Sequence, residues 1–94
     1  MDKVLQLSSE AVLIGRATEC QVQTQDAMVS RRHARIFWDG NYWIEDLGSS
    51  NGVYVGNDKV QKAPFRPGDT VNLEFDLIGK YVQRQAEVHF LAAR

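Results

Sequence analysis

Residues 33–44 read HARIFWDGNYWI. The first six positions alternate with the two-residue period that is typical of a β-strand with one buried face. Asp-Gly-Asn follows at 39–41, and Asp-Gly is a strong signal for the turn of a β-hairpin. Residues 42–44 then return as the partner strand. The predicted faces of the first strand are Ala34, Ile36 and Trp38 on one side and His33, Arg35 and Phe37 on the other.

Short apolar runs with turn residues between them continue in both directions from this hairpin. Pro64 and the segment Arg66-Pro-Gly-Asp69 predict a longer connection before residue 70. The other predicted strands are 4–7, 11–14, 21–23, 53–55, 59–60, 70–73, 77–82 and 87–91. Strands of this length at intervals of about 8–12 residues are typical of a β-sandwich. We therefore predict a single all-β domain over residues 1–94, a two-sheet β-sandwich of roughly ten short strands with its ligand-binding loops at one end.

The last segment, residues 83–94, has two interpretations. Its Ala, Glu, Gln and Leu content suits a helix. Its apolar residues Ala86, Val88 and Phe90 nevertheless alternate with Glu87 and His89. We favour a strand because this alternation gives one apolar face.

Composition narrows the function classes. The net charge is −1, from 11 basic and 12 acidic residues, so neither nucleic acid nor a membrane is an expected partner. Cys20 is the only cysteine and cannot form an internal disulfide. The first residues lack the pattern of a secretory signal, and no run of apolar residues is long enough for a membrane-spanning helix. We expect a soluble, cytoplasmic or otherwise intracellular protein that binds no cofactor or metal.

Polar residues of unusual character lie in three predicted loops, at 15–16, 30–33 and 46–52. A phosphate monoester carries about −1.5 to −2 charges at pH 7 and three strong acceptor oxygens. The guanidinium group of Arg16 offers a planar fork of donors that suits such a group. The hydroxyl groups of Ser30 and Ser50 add donors without adding charge. These loops therefore predict an anion-binding site.

Two further features point to a phosphorylated peptide rather than to free phosphate. Backbone N–H groups around Arg31 can complete an anion-binding concavity. The Asn51 side chain carries both a donor and an acceptor, and can pair with the backbone of an extended peptide. We therefore predict a site for phosphate together with peptide.

Taken together, these motifs resemble the signature of the forkhead-associated (FHA) domain family. The matching segments are Gly15-Arg16, Ser30-x-x-His33 and Ser49-Ser-Asn-Gly52 after Asp46-Leu-Gly48, and they stand in the family's order. The resemblance extends from about residue 4 to residue 90. The family often has threonine at the positions of Ser50 and Val53, but Ser50 keeps the hydroxyl group.

The resemblance implies an eleven-strand β-sandwich that binds phosphothreonine in a partner protein, downstream of a serine/threonine kinase, and that catalyses no reaction. The implied phosphate contacts are Arg16, Ser30, Arg31 and Ser50, the implied peptide-backbone contact is Asn51, and the implied loop-structural residues are Gly15, His33, Gly48 and Gly52. A preference for phosphothreonine over phosphoserine rests on the resemblance alone.

Alternative functions draw on the same residues. Ser30, His33 and Asp46 are the residue types of a hydrolase triad, but no nucleophile elbow or oxyanion-hole motif accompanies them. Arg31, Arg32 and Arg35 could contact nucleic acid, but strand alternation places Arg32 and Arg35 on opposite faces, and the net charge is acidic. A third alternative is an FHA-like scaffold that binds a partner protein independently of phosphate.

Overall fold

The computed structural model describes residues 3–73, 77–82 and 86–92. Within these ranges no helix is long and apolar enough to cross a membrane. The described residues form eleven strands: β1 (Lys3–Gln6), β2 (Val12–Gly15), β3 (Val22–Gln23), β4 (Ala34–Trp38), β5 (Tyr42–Asp46), β6 (Val53–Val55), β7 (Asp58–Val60), β8 (Lys62–Pro64), β9 (Thr70–Asn72), β10 (Leu77–Val82) and β11 (Glu87–Ala92).

The strands form two sheets, which confirms the predicted two-sheet β-sandwich. A six-stranded sheet has the order β1-β11-β10-β9-β6-β7, and a five-stranded sheet has the order β3-β2-β4-β5-β8. All neighbouring strands are antiparallel except β2 and β3, which pair in parallel. The chain crosses between the sheets at the β5–β6 connection, so this connection lies at an end of the sandwich.

The hairpin predicted at residues 33–44 forms β4 and β5. Ile36 stands opposite Ile44, and both are buried in the core as the alternation predicts. Gly40 has a φ angle of +76°, which closes the turn. Trp38 differs from the prediction, because half of its surface is exposed. It lies at the end of β4, beyond the core, where its ring meets that of Tyr42 edge-on at 4.9 Å.

Side chains from the inner faces of both sheets interdigitate to form the core. The fully buried residues with the largest side chains are Phe65, Phe90, Ile14, Ile36, Ile44 and Leu73. Val53 also lies fully inside this core. This valine, at a position where the resembled family often has threonine, is therefore a core residue.

Two further segments complete the comparison with the sequence. Strand β8 occupies part of the segment that was predicted as a connection. Pro64 lacks a backbone N–H and so cannot donate a hydrogen bond to a neighbouring strand. It is accommodated because β8 lies at the edge of the five-stranded sheet, where one side of the strand has no neighbour. The preferred strand at the end of the chain is confirmed as β11, which pairs with β10 and β1. Residues 83–85 and 93–94 of that segment lie outside the described residues.

Candidate functional site

Backbone hydrogen bonds bring the predicted loops together at one end of the sandwich. The loop after β2 meets the loop before β4 through Arg16 N–H, which donates to the Ser30 carbonyl at 3.2 Å, and Ala17 N–H, which donates to the Arg31 carbonyl at 2.9 Å. The loop after β5 joins them through Ser50 N–H, which donates to Ser30 Oγ at 3.0 Å. All four predicted phosphate contacts, Arg16, Ser30, Arg31 and Ser50, therefore belong to one connected surface.

Gly15 permits this close approach. A Cβ atom at Gly15 would lie 2.2 Å from the Arg31 carbonyl oxygen and 2.8 Å from that of Ser30. Both contacts involve backbone atoms that are held by hydrogen bonds, so they cannot move aside cheaply. Any larger residue would push the two loops apart.

The Arg16 side chain is held in a fixed position. Its Nε–H donates to the Val29 carbonyl at 2.6 Å. The two terminal NH2 groups form no salt bridge or hydrogen bond within the described residues, and the side chain is exposed. One edge of the guanidinium group thus anchors the residue, and the other edge faces solvent as a ready anion donor.

The Ser30 hydroxyl group accepts one structural hydrogen bond and keeps its proton for a ligand. Its Oγ accepts the Ser50 N–H, and its own hydroxyl proton has no acceptor among the described residues. The Arg31 N–H is likewise without an acceptor in the described part of the chain. Arg16, Ser30 and Arg31 thus provide three kinds of unused donor on the same surface.

His33 links the loops from inside. The ring is fully buried. Its Nδ1 accepts the Ser30 N–H at 3.0 Å, and its Nε2 lies 2.6 Å from the Gly52 carbonyl oxygen. Because Nδ1 accepts, the proton of the neutral ring is on Nε2 and is donated to Gly52. The sequence-based alternation placed His33 on the outer face with Arg35, and this placement is wrong. His33 precedes β4 and turns inward between the loops.

A short turn shapes the loop after β5. The Asp46 carboxylate accepts the Ser49 N–H at 2.7 Å, and Ser49 Oγ accepts the Gly52 N–H at 2.9 Å. Gly48 and Gly52 have φ angles of +81° and +92°. These local bonds hold Ser50 and Asn51 at the tip of the loop.

Asn51 is also anchored. Its side-chain NH2 donates to the Met28 carbonyl at 2.7 Å, which ties the tip of this loop to the loop before β4. The side-chain oxygen has no partner within the described residues. The carbonyl groups of Met28 and Val29, which hold Asn51 and Arg16, could not be identified from the sequence because every residue carries a carbonyl group.

Lys59 is a further neighbour of the site that the sequence did not indicate. It lies on β7, and its Cε would be only 2.7 Å from a Cβ atom built on Gly52. The lysine stem therefore runs across the glycine that follows Asn51. Only the hairpin formed by β6 and β7 brings the two residues together, since they stand seven positions apart.

The surrounding arginines differ in whether a carboxylate already neutralises their charge. Arg35 pairs with Glu45 at 2.6 Å and covers the Phe37 ring at 4.1 Å. Arg32 lies 3.6 Å from Glu19. Arg31 is exposed and forms no ion pair with a described residue. The unpaired positive charge near the loops is thus that of Arg16, Arg31 and Lys59.

The loops do not assemble a hydrolytic centre. Both ring nitrogens of His33 are engaged by backbone groups, and Asp46 bonds the Ser49 N–H rather than the histidine. In the described part of the chain, no three metal-ligating side chains form a group that could hold an ion.

Cys20 is buried, and its thiol donates to the Arg31 carbonyl at 3.5 Å. Burial, followed by the nearby Glu19 carboxylate, raises the pKa of this thiol.

Comparison with known proteins places these loops in a family. The family model described as "FHA domain" matches residues 12–74. FHA domain-containing protein FhaB of Mycobacterium tuberculosis is 47% identical over 58 residues, which cover 61% of this chain and 37% of that protein. The chain therefore spans well under two thirds of this curated relative's length.

Solved structures show the same architecture over most of the chain. A structure from work titled "Structural and functional analysis of phosphothreonine-dependent FHA domain interactions" has 31% identity and a TM-score of 0.69, covering 96% of this chain and 82% of that one. Mycobacterium tuberculosis EmbR in complex with a low affinity phosphopeptide has 32% identity and a TM-score of 0.66, covering 89% of this chain and 20% of that one.

Proposed function

This chain belongs to the FHA domain family, and we propose that it binds phosphothreonine-containing segments of partner proteins as a non-catalytic adaptor. One observation carries the proposal. Arg16, Ser30 and Arg31 present unused donors on a single surface that hydrogen bonds hold in place. The phosphothreonine-dependent interactions and the phosphopeptide complex named for the structural relatives support the same ligand class.

Each donor would have a distinct function towards the phosphate group. The terminal NH2 groups of Arg16 would form charge-assisted hydrogen bonds with two phosphate oxygens. The Ser30 hydroxyl and the Arg31 N–H would donate to the remaining oxygen, and Ser50 would contribute from the opposite loop. Because these donors are already positioned, little conformational entropy is lost when the ligand binds.

The peptide backbone would be held by Asn51. Its NH2 group is fixed on the Met28 carbonyl, which leaves the side-chain oxygen as an acceptor for a peptide N–H. A contact to the backbone is independent of the flanking residues, so it positions the peptide without selecting its sequence.

Three structural observations support a binding module over an enzyme or a nucleic-acid-binding protein. The residue types of a catalytic triad are present, but His33 binds the backbone N–H of Ser30 rather than its hydroxyl group, and the Asp46 carboxylate binds the Ser49 N–H rather than the histidine. Arg32 and Arg35 face carboxylates rather than forming an open basic surface. The net charge of −1 adds no long-range attraction for a polyanion. We propose an intracellular setting, with a serine/threonine kinase acting upstream.

Binding to an oriented library of phosphothreonine peptides tests the proposal, with the unphosphorylated and phosphoserine libraries as matched controls. We expect phosphate-dependent binding with a dissociation constant in the micromolar range, about −8 kcal/mol. Equal binding to the unphosphorylated library would instead favour the phosphate-independent scaffold. Turnover of phosphopeptides or esters would overturn the non-catalytic assignment.

A further inference from the structure

Lys59 lies against Gly52, which follows the predicted phosphate contact Ser50 by two residues in the loop after β5. Its ammonium nitrogen is 3.5 Å from the position that a Gly52 Cβ would occupy. Gly52 follows Ser50 by two residues, a chain length of at most about 7 Å. An extended peptide covers a similar distance with two residues, so a side chain flanking the phosphothreonine can reach Lys59.

The position of the lysine stem is well defined. The Gly52 carbonyl is fixed by His33 Nε2 at 2.6 Å, and the Gly52 N–H by Ser49 Oγ at 2.9 Å. The methylene groups of Lys59 pass over this rigid backbone, which a side chain at position 52 would block. The absence of a side chain at Gly52 thus creates the path along which Lys59 reaches the site.

The charge of Lys59 is available. The residue is exposed, and it forms no ion pair with any described residue. Asp58 is adjacent in sequence, but successive side chains of a strand point to opposite faces. Lys62 provides a contrast, since its ammonium group lies 5.2 Å from the Trp43 ring and 5.5 Å from the Phe37 ring on the other sheet.

We propose that Lys59 is a specificity-determining residue that selects phosphopeptides carrying an acidic side chain close to the phosphothreonine. This inference rests on the proposed phosphothreonine binding and adds a second charged contact to it. The carboxylate of the peptide pairs with the Lys59 ammonium group while Asn51 holds the intervening backbone. Sequence selectivity would thus come from β7, outside the three loops that hold the phosphate.

The experiment uses one phosphothreonine peptide with alanine at all flanking positions. It compares this peptide with a set in which each member carries one aspartate, placed at one of the four positions on either side of the phosphothreonine. For the native protein we expect at least one aspartate position to bind about fivefold more tightly than the alanine peptide. Fivefold corresponds to about 1 kcal/mol, the upper range for an exposed ion pair. Lys59→Gln removes this gain, and it weakens the alanine peptide by much less than the aspartate peptide. Lys59→Glu reverses the preference, so that the same aspartate peptide binds more weakly than the alanine peptide.

Lys62→Gln is the matched control, because it removes the same charge from an exposed lysine on the other sheet, and it should keep the aspartate preference. Melting curves verify that each variant is folded. The inference is overturned if no aspartate position gains affinity, if Lys59→Gln weakens both peptides equally, or if Lys62→Gln has the same effect. If the native protein does not bind the phosphorylated alanine peptide, or binds its unphosphorylated form as well, the proposed function itself fails and Lys59 loses its assigned role.

Discussion

At the scale of the residue, the side chains of this site have two functions at once. Arg16 anchors its own loop through Nε and presents its terminal NH2 groups to solvent. Ser30 accepts a hydrogen bond from Ser50 while keeping its hydroxyl proton. The sequence predicted the outward function of both residues from their chemistry. The sequence could not predict the hydrogen bonds that hold these two side chains in place, because their partners, the Val29 carbonyl and the Ser50 N–H, are backbone groups.

Substitution of Arg16 tests the outward function. We expect Arg16→Ala to weaken phosphothreonine peptide binding by at least about a hundredfold, since two charge-assisted bonds are lost and each is worth about 1.5–3 kcal/mol. Loss of the bond to the Val29 carbonyl should lower the free energy of unfolding by only about 1 kcal/mol. Calorimetry and thermal melting measure the two quantities. A variant that binds within threefold of the native protein would refute the assignment of Arg16 to the phosphate.

His33 and Ser30 form a matched pair for separating stability from binding. His33→Ala leaves the Ser30 N–H and the Gly52 carbonyl without their buried partner, so we expect stability to fall by about 2–4 kcal/mol and binding to weaken. Ser30→Ala should weaken binding with a stability loss below about 1 kcal/mol, because Ser50 is exposed and water can replace the lost acceptor. A His33→Ala protein that melts like the native protein but does not bind would indicate a direct ligand contact.

Cys20 gives stability a dependence on alkaline pH. Burial raises the pKa of its thiol in the folded state. Above the ordinary thiol pKa of about 8.5, the unfolded chain loses this proton while the folded chain keeps it. Stability is therefore complete at neutral pH and falls as the pH rises. Urea denaturation at pH 7.5 and 9.5 should show this loss, and Cys20→Ala should reduce it. An equal loss of unfolding free energy between the two pH values in the native protein and in Cys20→Ala would contradict the prediction.

At the scale of the element, the hairpin of β4 and β5 was predicted correctly because alternation and the Asp-Gly turn agree. The short strand β8 was missed because proline reads as a connection, and only its edge position permits the strand. Lys59 was missed for a related reason. Its neighbour Gly52 stands seven positions earlier in the sequence, and only the pairing of β6 with β7 shows that the two are in contact.

The approach of the loops after β2 and before β4 depends on Gly15. We expect Gly15→Ala to weaken phosphopeptide binding more than tenfold and to lower the melting temperature, because its methyl group would overlap the Arg31 carbonyl. Gly40→Ala is the matched control, since that glycine lies in the β4–β5 turn, away from the loops, with open space around its Cβ position. It should lose some stability through its positive φ angle and keep the affinity. Equal affinity losses in both variants would show that the effect is not local to the loops.

At the scale of the whole molecule, the sequence predicted the fold class from the spacing of strands and turns. Apart from the β4–β5 hairpin, the order of the strands within the sheets was not predicted, because the spacing of strands and turns does not specify it. A net charge of −1 means that binding of a phosphorylated ligand depends on local contacts rather than on the field of the whole protein.

Binding should therefore weaken at low pH more than at high salt. The second pKa of the phosphate group is about 6, so the ligand is mostly a dianion at pH 7.5 and mostly a monoanion at pH 5. Salt acts less strongly because close contacts are poorly screened. Titrations at pH 7.5 and 5.0, each at low and high salt, measure both effects. The same affinity in all four conditions would favour the phosphate-independent scaffold.

The buried ring of His33 also makes the molecule its own spectroscopic probe. A ring N–H that is shielded from water and bonded to the Gly52 carbonyl exchanges slowly, and its proton resonance stands apart from the amide region. Its chemical shift depends on the length of that one bond, which joins the loop before β4 to the loop that carries Asn51. Any partner that closes or strains this loop would therefore change a single isolated signal, without a dye or an isotope-labelled ligand.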